Sequence, residues 1–288
     1  PAKIAGVQKV VIVSPPGPEG LVHQSVIVAA DIAGADNIYQ VGGAQAIAAL
    51  GYGTETVPRV DLICGPGNVF VTMAKKKLFG LVGVDGVYGP TETVVVADDT
   101  ANPTLCAVDL LAQAEHDVMA TPILITTSMQ LAEDVKSELN KRLETLARSS
   151  IARLSLRDRG CIAVVNDLED AISLVNEFAP EHVSLMVRNP EKHMESVRHA
   201  GAIFLGELSH EVLGDYVAGP SHVMPTGGAA RFSSGLSVRS FLKFSPVISL
   251  DSTTSSALSS AAEVIAHSEG LTGHADAAAI RDELNAVY

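Results

Sequence analysis

Tryptophan is absent from the 288-residue sequence, and only 4% of its residues are aromatic. An apolar core therefore has to be built from Val, Ile, Leu and Ala, which is the usual filling of α/β proteins. Basic residues are also scarce, because 20 Lys and Arg stand against 33 Asp and Glu, for a net charge of −13. This deficit argues against nucleic acid or an anionic membrane surface as the main partner.

Cysteine is scarce as well, and the three residues lie far apart at Cys64, Cys106 and Cys161. An odd number at these spacings fits neither a disulfide framework nor a cysteine-type zinc site. All three lie in apolar runs, so we expect buried thiols in a reducing compartment. The sequence also lacks the uninterrupted run of about 18 apolar residues that a transmembrane helix requires, and it does not open with a secretory signal pattern. These absences predict a cytoplasmic protein.

The sequence does contain a regular alternation of short β-branched runs with helical patterns, which favours a mostly parallel sheet. We therefore predict an α/β fold with two doubly wound, incomplete Rossmann-like halves, at residues 1–90 and 91–236. Strands are expected at residues 10–13, 38–41, 61–64, 93–97, 123–127, 161–165, 183–187 and 202–205. Helices are expected at residues 19–34, 44–50, 69–79, 101–117, 129–147, 168–178 and 190–200.

The last part of the chain, residues 237–288, has a different character. It follows a Gly-rich loop at 225–235 and combines one expected strand at 244–250 with two Ala-rich helices at 255–268 and 274–288. A unit of this size buries too little apolar surface to fold alone. We expect a small helical tail that packs on the rest of the chain or on a partner subunit.

A Gly-Pro-Gly-Asn turn at residues 65–68 lies between an expected strand and an expected helix. Backbone N–H groups at such a helix start can cradle an anion. The motif is not G-x-G-x-x-G, and no acidic residue follows at the spacing of a dinucleotide-binding fold. A phosphate-binding loop and a plain strand-to-helix turn are therefore both open interpretations.

Imidazole and carboxyl groups lie near expected strand ends and loops, and ligands of open α/β folds bind beyond the carboxyl ends of strands. Such groups suit zinc, and Gln113, on the same helix face as His116, could add an amide oxygen. Surface or helix-capping residues are the alternative. A Gly- and Pro-rich segment at 214–228 is predicted to be a binding loop. The candidate groups are His116, Glu181, His182, Asp215, His222 and His274.

The adjacent pair Glu181 and His182 follows Pro180, which we expect to hold Ala179 extended. On a regular strand the two side chains would point to opposite faces, whereas at a bend before a strand both can face a cleft. A carboxylate beside an imidazole can divide the roles of proton acceptor and water activator. The alternative is a buried histidine with a salt-bridged glutamate.

Six motifs, in this order, resemble the histidinol dehydrogenase family. They cover nearly the whole chain, and six motifs in a fixed order are specific where each one alone is not. The motifs are VGGAQAIAALGYGTETVPRVDLICGPGNVFVTMAKKK (41–77), GPTETVVVADDTANP (89–103), DLLAQAEHD (109–117), FAPEHVSL (178–185), GDYVAGPSHVMPTGGAARF (214–232) and EGLTGHADAAAIR (269–281).

The resemblance implies an NAD-dependent, zinc-requiring enzyme that oxidises L-histidinol to L-histidine through L-histidinaldehyde, the last steps of histidine biosynthesis. It implies that Glu181 and His182 are catalytic. The implied zinc ligands are Gln113, His116, Asp215 and His274. The implied substrate contacts are Thr91, Gln113, His116, Glu181, His182, Asp215, His222, Glu269 and His274, and the implied contacts to NAD are Gln45 and Asn68.

The resemblance also implies a homodimer in which the C-terminal tail completes the active site of the partner subunit. Residues 1–90 would form the cofactor side and residues 91–236 the metal and substrate side. The sequence departs from the family pattern at Thr91, where Ser is usual, at Ser221, where Asn is frequent, and at His210, where a different residue is common.

The chain begins with Pro1 rather than Met and lacks the family's usual N-terminal portion. We therefore expect a fragment of a longer protein or a naturally short paralogue. Two alternatives to histidinol oxidation stay open. One is a zinc- and NAD-dependent dehydrogenase of another small alcohol, and the other is a truncated, non-catalytic paralogue.

Overall fold

The computed structural model describes residues 1–285, with side-chain surroundings through residue 281, and it confirms a mixed α/β chain with parallel strand pairing and a helical C-terminal end. The strands are β1 (Val11–Val13), β2 (Asn37–Tyr39), β3 (Leu62–Ile63), β4 (Gly83–Val84), β5 (Glu92–Ala97), β6 (Thr121–Thr126), β7 (Cys161–Val164), β8 (His182–Met186) and β9 (Ala202–Leu205). The helices are α1 (Gln24–Ile32), α2 (Gly43–Tyr52), α3 (Val69–Leu78), α4 (Pro103–Ala114), α5 (Met129–Leu143), α6 (Ser149–Asp158), α7 (Leu168–Phe178), α8 (Glu191–Met194), α9 (Glu211–Tyr216), α10 (Ser252–Ser268) and α11 (Thr272–Asn285). Within these described residues, no helix has both the length and the apolar character that a bilayer crossing requires.

The largest sheet has five parallel strands in the order β7-β6-β5-β8-β9. The central strand β5 pairs Val95 with Leu124 of β6 on one side and with Ser184 of β8 on the other. The chain builds outward from β5 to β7 and then returns to add β8 and β9, which is a doubly wound order. Helices α4, α5 and α6 supply apolar side chains to one face of the sheet, and α7 supplies them to the other.

Residues 1–90 contain an apolar cluster of their own and two two-stranded parallel sheets, β1-β2 and β3-β4. Helices α2 and α3 pack closely, because a Cβ atom on Gly51 would approach Leu78 Cδ1 to 2.5 Å. Residues 1–242 form one compact unit, so the boundary at residue 90 stays a prediction. The cluster is built from Ile47, Leu50, Val57, Ile63, Leu78 and Val82.

The second unit, from Lys243 onward, contains α10 and α11. The strand predicted at 244–250 is wrong, because no strand forms there among the described residues. A strand needs a hydrogen-bonded neighbour, Pro246 offers no N–H, and Phe244 and Val247 are exposed. The two predicted helices are confirmed with earlier starts, and residues 286–288 of the second prediction lie outside the described part.

Several element boundaries differ from the predictions for local physical reasons. Helix α1 begins only at Gln24, where His23 accepts from the N–H of Ser25 as a cap. The helix predicted at 190–200 stops at Met194, since Asn176 Oδ1 accepts from the N–H groups of Arg198 and His199 and holds that backbone out of a helix. The elements β4, α6 and α9 were not predicted.

The three cysteines are free thiols, but only one of them is buried as expected. Cys106 lies in the core cluster under the sheet, and burial raises its thiol pKa to about 12. Cys64 is half-buried, and Cys161 is exposed because β7 is an edge strand of the five-stranded sheet.

An ion pair between Lys75 of α3 and Asp85 is almost completely buried, with side chains 3% and 1% exposed. Lys75 Nζ also donates to the carbonyl oxygen of Gly65 at 3.0 Å, and Asp85 Oδ2 accepts from the Gly65 N–H at 2.7 Å. Lys75 Nζ lies 5.1 Å from the ring centroid of Tyr88, within range of a cation–π interaction. The pair therefore holds both backbone groups of Gly65 and fixes the start of the Gly-Pro-Gly-Asn turn.

Replacing Lys75→Met leaves Asp85 buried without a counter-ion, so we expect the free energy of unfolding to fall by about 3–5 kcal/mol. The matched variant Lys141→Met removes an ion pair to Glu138 whose lysine side chain is 74% exposed, and should cost less than about 1 kcal/mol. Urea denaturation followed by circular dichroism measures both losses. Equal losses would contradict a structural role for the buried pair.

Candidate active site

A cavity of about 820 Å³ lies between the turn after β3 and the first residues of β5 and β8. Its walls include Tyr88, Met119 and Met224, which supply apolar surface beside the polar groups. The cavity brings together side chains that are more than 150 positions apart in the sequence. The predicted site residues that line it are Asn68, Thr91, His116, Glu181, His182, Asp215 and His222.

The position of these residues confirms one expectation and corrects another. The Gly-Pro-Gly-Asn turn follows the carboxyl end of β3, as expected. In the five-stranded sheet, however, the site lies at the amino ends, since His182 begins β8 and pairs with Thr93 near the start of β5. Helix α4 runs back from the carboxyl end of β5, so its last turn, with Gln113, also reaches the amino ends.

The backbone before β8 explains how Glu181 and His182 both face the cavity. Ala179 was expected to be extended, but it ends α7 in the left-handed conformation, with φ 55° and ψ 61°. It is the only non-glycine residue with positive φ in the described chain. Gly201 packs against this turn, where a Cβ atom would approach the Glu181 carbonyl oxygen to 2.6 Å.

Gln113 is the centre of a buried polar network and is itself 1% exposed. Its Nε2 donates to Glu211 Oε2 at 2.9 Å and lies 2.9 Å from His182 Nδ1. The Thr91 hydroxyl, which has one hydrogen to donate, lies between two acceptors: Gln113 Oε1 at 2.9 Å and Glu181 Oε2 at 2.6 Å. The network therefore joins residues that the sequence assigned to metal, substrate and catalysis.

Asp215 belongs to helix α9 and not to the predicted binding loop, so that prediction is wrong up to Tyr216. His222 does lie in a segment without regular structure, where it is exposed and lines the cavity, and its part in binding stays a prediction. Asp215 Oδ1 lies 3.6 Å from His182 Nε2. That nitrogen is buried and has no hydrogen-bond partner among the described residues.

Glu211 is a site residue that the sequence analysis missed. It begins α9, is 2% exposed, and lies one helical turn before Asp215 on the same helix face. In addition to the bond from Gln113, it accepts from the hydroxyl of Thr93 and from that of Ser184 at 3.2 Å. These two polar positions on a buried sheet face were the available signal, because buried hydroxyls need an acceptor.

His116 has the geometry of an imidazole prepared for a metal. Its Nδ1 lies 2.7 Å from the carbonyl oxygen of Ala112, which only accepts, so Nδ1 carries the proton and Nε2 keeps its lone pair. A carbonyl-fixed ring of this kind is typical of zinc-bound histidine. The amide oxygen of Gln113 and the carboxylate of Asp215 add oxygen donors, and this set fits the chemistry of zinc.

No group of three His, Cys, Asp or Glu side chains close enough to hold a metal occurs among the described residues. The predicted ligand set contains an amide, Gln113, and a residue of the second unit, His274, which lies in the first turn of α11 and is exposed. Glu269 follows α10 and is exposed as well. The roles of Glu269 and His274 stay predictions.

The two predicted NAD contacts differ in position. Asn68 lines the cavity, and its Oδ1 accepts from the N–H groups of Phe70 and Val71, so it also caps α3. Gln45 is exposed near the start of α2 and is not among the residues that line this cavity. Contacts of either residue to NAD stay predictions.

Burial dominates the electrostatics of the site. It raises the pKa of Glu211 to about 7 in spite of the hydrogen bonds from Thr93, Gln113 and Ser184. Burial also raises the pKa of Glu181, while the neighbouring His182 acts to lower it. Each carboxyl therefore holds a proton more tightly than it would in water.

Asp109, earlier in α4, is a third buried carboxyl, 7% exposed and with no hydrogen-bond partner for Oδ2 among the described residues. Burial, followed by the negative charge of Glu211, raises its pKa from 3.8 to about 6. The folded chain thus binds this proton more tightly than the unfolded chain, and stability from this group is lost as the pH rises from about 4 to about 6.

The variant Asp109→Asn cannot ionise, so it should lack this loss. Relative to the wild type, its free energy of unfolding should rise by about 1–3 kcal/mol between pH 4.5 and pH 7.5. Urea denaturation of both chains at the two pH values measures the difference. A difference that does not change with pH would contradict the assignment.

Comparison with known proteins gives a consistent result. The family model described as histidinol dehydrogenase matches residues 1–282. Histidinol dehydrogenases of Synechococcus sp. and Bacillus cereus are 50% and 52% identical to the chain over 98% of its length. A crystal structure of histidinol dehydrogenase from Elizabethkingia anophelis matches 99% of the chain with a TM-score of 0.92 and 37% identity. The chain covers 65% and 66% of the two relatives and 66% of that structure, just under two thirds of their length.

Proposed function

The chain belongs to the histidinol dehydrogenase family, and from this premise we propose that it takes part in the NAD-dependent, zinc-requiring oxidation of L-histidinol to L-histidine. The proposal places this biosynthetic activity in the cytoplasm. The observation that carries it is the meeting of Glu181, His182 and Thr91 around the Gln113 amide at one cavity.

The reaction consists of two oxidations with one water added between them. In the first, the alcohol loses a hydride to NAD and a proton, and becomes an aldehyde. In the second, water adds to the aldehyde, and loss of another hydride and further protons gives the carboxylate. NAD accepts both hydrides, and the protein has to move the protons and keep the aldehyde bound.

His182 is the proposed partner for the proton of the substrate hydroxyl. The Gln113 amide nitrogen donates to Nδ1, so the neutral ring carries its hydrogen on Nε2. Nε2 has no hydrogen-bond partner in the described chain, and once it has passed this hydrogen on it can take the proton of the substrate hydroxyl. Its ring is held by Gln113 at Nδ1 and lies 5.8 Å, centroid to centroid, from Phe204. An imidazole held in one orientation is well suited to general acid–base catalysis.

Glu181 is the proposed activator of the water that attacks the aldehyde. Its Oε2 is held by the hydroxyl of Thr91 at 2.6 Å and by the Glu92 N–H at 3.2 Å. These bonds aim the carboxylate from the start of β8, and burial gives it a raised pKa, which strengthens it as a base. Closing the aldehyde in this pocket also limits loss of a reactive intermediate.

Zinc would be held by Gln113, His116, Asp215 and His274, in agreement with the free Nε2 of His116. When bound, the metal supplies a Lewis-acid site that orients the amine and imidazole of histidinol. Thr91, His222 and Glu269 are the proposed further contacts to this substrate, and Gln45 and Asn68 the proposed contacts to NAD. Glu269 and His274 belong to the tail that we propose completes the site of a partner subunit in a homodimer.

With L-histidinol, NAD and zinc, the 288-residue chain should form two NADH per histidinol, and a chelator should stop the reaction until zinc is returned. His182→Asn should lower the rate of NADH formation by about 10²–10⁴-fold. The matched variant His23→Asn should retain the wild-type rate, because His23 is exposed and Asn also caps a helix such as α1. Glu181→Gln should slow oxidation of the aldehyde more than that of the alcohol.

NADH absorbance in single-turnover and steady-state assays measures these rates. Wild-type turnover in His182→Asn would contradict the role of that residue. Absence of NADH formation by the zinc-loaded wild type would contradict the proposed activity for this chain.

A further inference from the structure

We propose that Glu211 is a positioning residue, which holds the Gln113 amide with its oxygen end turned toward Thr91, on the side where a metal would bind. This inference rests on the proposed function for the zinc site itself. The residue does not line the cavity and would act entirely through its bond to Gln113.

Hydrogen bonds hold both oxygens of the Glu211 carboxyl. One carboxylate oxygen accepts from the hydroxyls of Thr93 and Ser184, which lie on the neighbouring strands β5 and β8. The other oxygen accepts from Gln113 Nε2 at 2.9 Å. Two strands of the core sheet therefore hold one carboxylate oxygen in place, and the other oxygen can orient the Gln113 amide.

The two ends of the Gln113 side-chain amide have the same shape and opposite hydrogen-bonding chemistry. The nitrogen end only donates and the oxygen end only accepts. Glu211 Oε2 accepts from the amide nitrogen, so Glu211 selects the orientation in which nitrogen faces it and oxygen faces Thr91. The amide nitrogen has no lone pair to offer a metal, whereas the oxygen is a competent ligand.

Burying the Glu211 carboxyl costs free energy. Glu211 is 2% exposed and has no positively charged side chain among its hydrogen-bond partners. A buried carboxyl without a counter-ion destabilises the folded state. A buried Leu or Met would fill the same volume without this penalty. Three hydrogen bonds end on the Glu211 carboxyl. They indicate that the residue serves as a hydrogen-bond acceptor and does not merely fill space.

The test is a double-mutant cycle on zinc affinity, measured with the full chain by competition against a chromophoric chelator. In Glu211→Gln, the hydroxyls of Thr93 and Ser184 that donate to Oε1 keep the oxygen of the new amide, so its nitrogen faces Gln113. The Gln113 amide then turns, and its oxygen leaves the metal side. We expect zinc to bind about 10–100-fold more weakly, as is typical for partners that orient metal ligands. Gln113→Glu places two carboxyls face to face and should also weaken binding.

The double variant Glu211→Gln/Gln113→Glu restores a complementary amide–carboxylate pair and should bind zinc more tightly than either single variant. Glu138→Gln makes the same change at a carboxyl that bonds only to Lys141 and Arg142 in the described chain, and it should bind zinc within about twofold of the wild type. The absorption bands of the cobalt-substituted proteins should change in the single variants and return toward the wild-type shape in the double variant. A merely structural role would not give this recovery.

Zinc affinity of Glu211→Gln equal to that of the wild type, or additive effects in the cycle, would overturn the inference while leaving the proposed function intact. A wild-type chain that binds no zinc would overturn both. Where Glu211→Gln does not fold, Glu211→Met removes the acceptor without adding a donor and should show the same loss of affinity.

Discussion

The side-chain amide of Gln113 is the group on which the arrangement of the cavity depends. It is buried, and its polar neighbours come from β8, α9 and the residue before β5. In a low-dielectric interior a hydrogen-bond network of this kind is stable only when donors and acceptors alternate correctly. Because Thr91, Glu211 and His182 all bond to the Gln113 amide, a change that turns this amide alters the hydrogen bonds of all three.

The backbone around this network is held by close packing and by local strain. Ala179 adopts a left-handed conformation that costs a non-glycine residue about 1–2 kcal/mol. It is kept there because the residue is fully buried and its N–H still bonds to Val175 at the end of α7. Gly201 leaves no room for a side chain beside Glu181. The turn is thus fixed on both sides, and the start of β8 has little freedom to shift.

The sequence patterns predicted the elements that local preferences decide and failed where a distant partner decides. The bounds of α7 and β9 match the predictions, because capping by Asp167 and an apolar run flanked by turns are local signals. The strand at 244–250 failed because pairing is not a property of one segment. Glu211 was missed because a glutamate is ordinarily exposed, and only the folded sheet shows the two hydroxyls that require it.

Six ordered motifs identify a family even where spacing alone leaves alternatives open. Seven of the residues that the resemblance implied line one cavity, and their roles stay predictions. The motifs did not predict at which edge of the sheet these residues meet. His116, Glu181 and His182 were expected near strand ends, and only the folded sheet shows that these are the amino ends of β5 and β8.

The carboxyl ends of the five-stranded sheet are closed by their own loops, which explains why the cavity lies at the opposite edge. Asp98, after β5, accepts from the N–H of Arg188, after β8, at 2.9 Å. Glu207, after β9, accepts from the N–H of Asn102 at 2.6 Å. These bonds tie together the loops at the edge where an open sheet usually binds ligands. The amino ends face the turn after β3 instead, so the cavity combines the carboxyl end of one sheet with the amino ends of another.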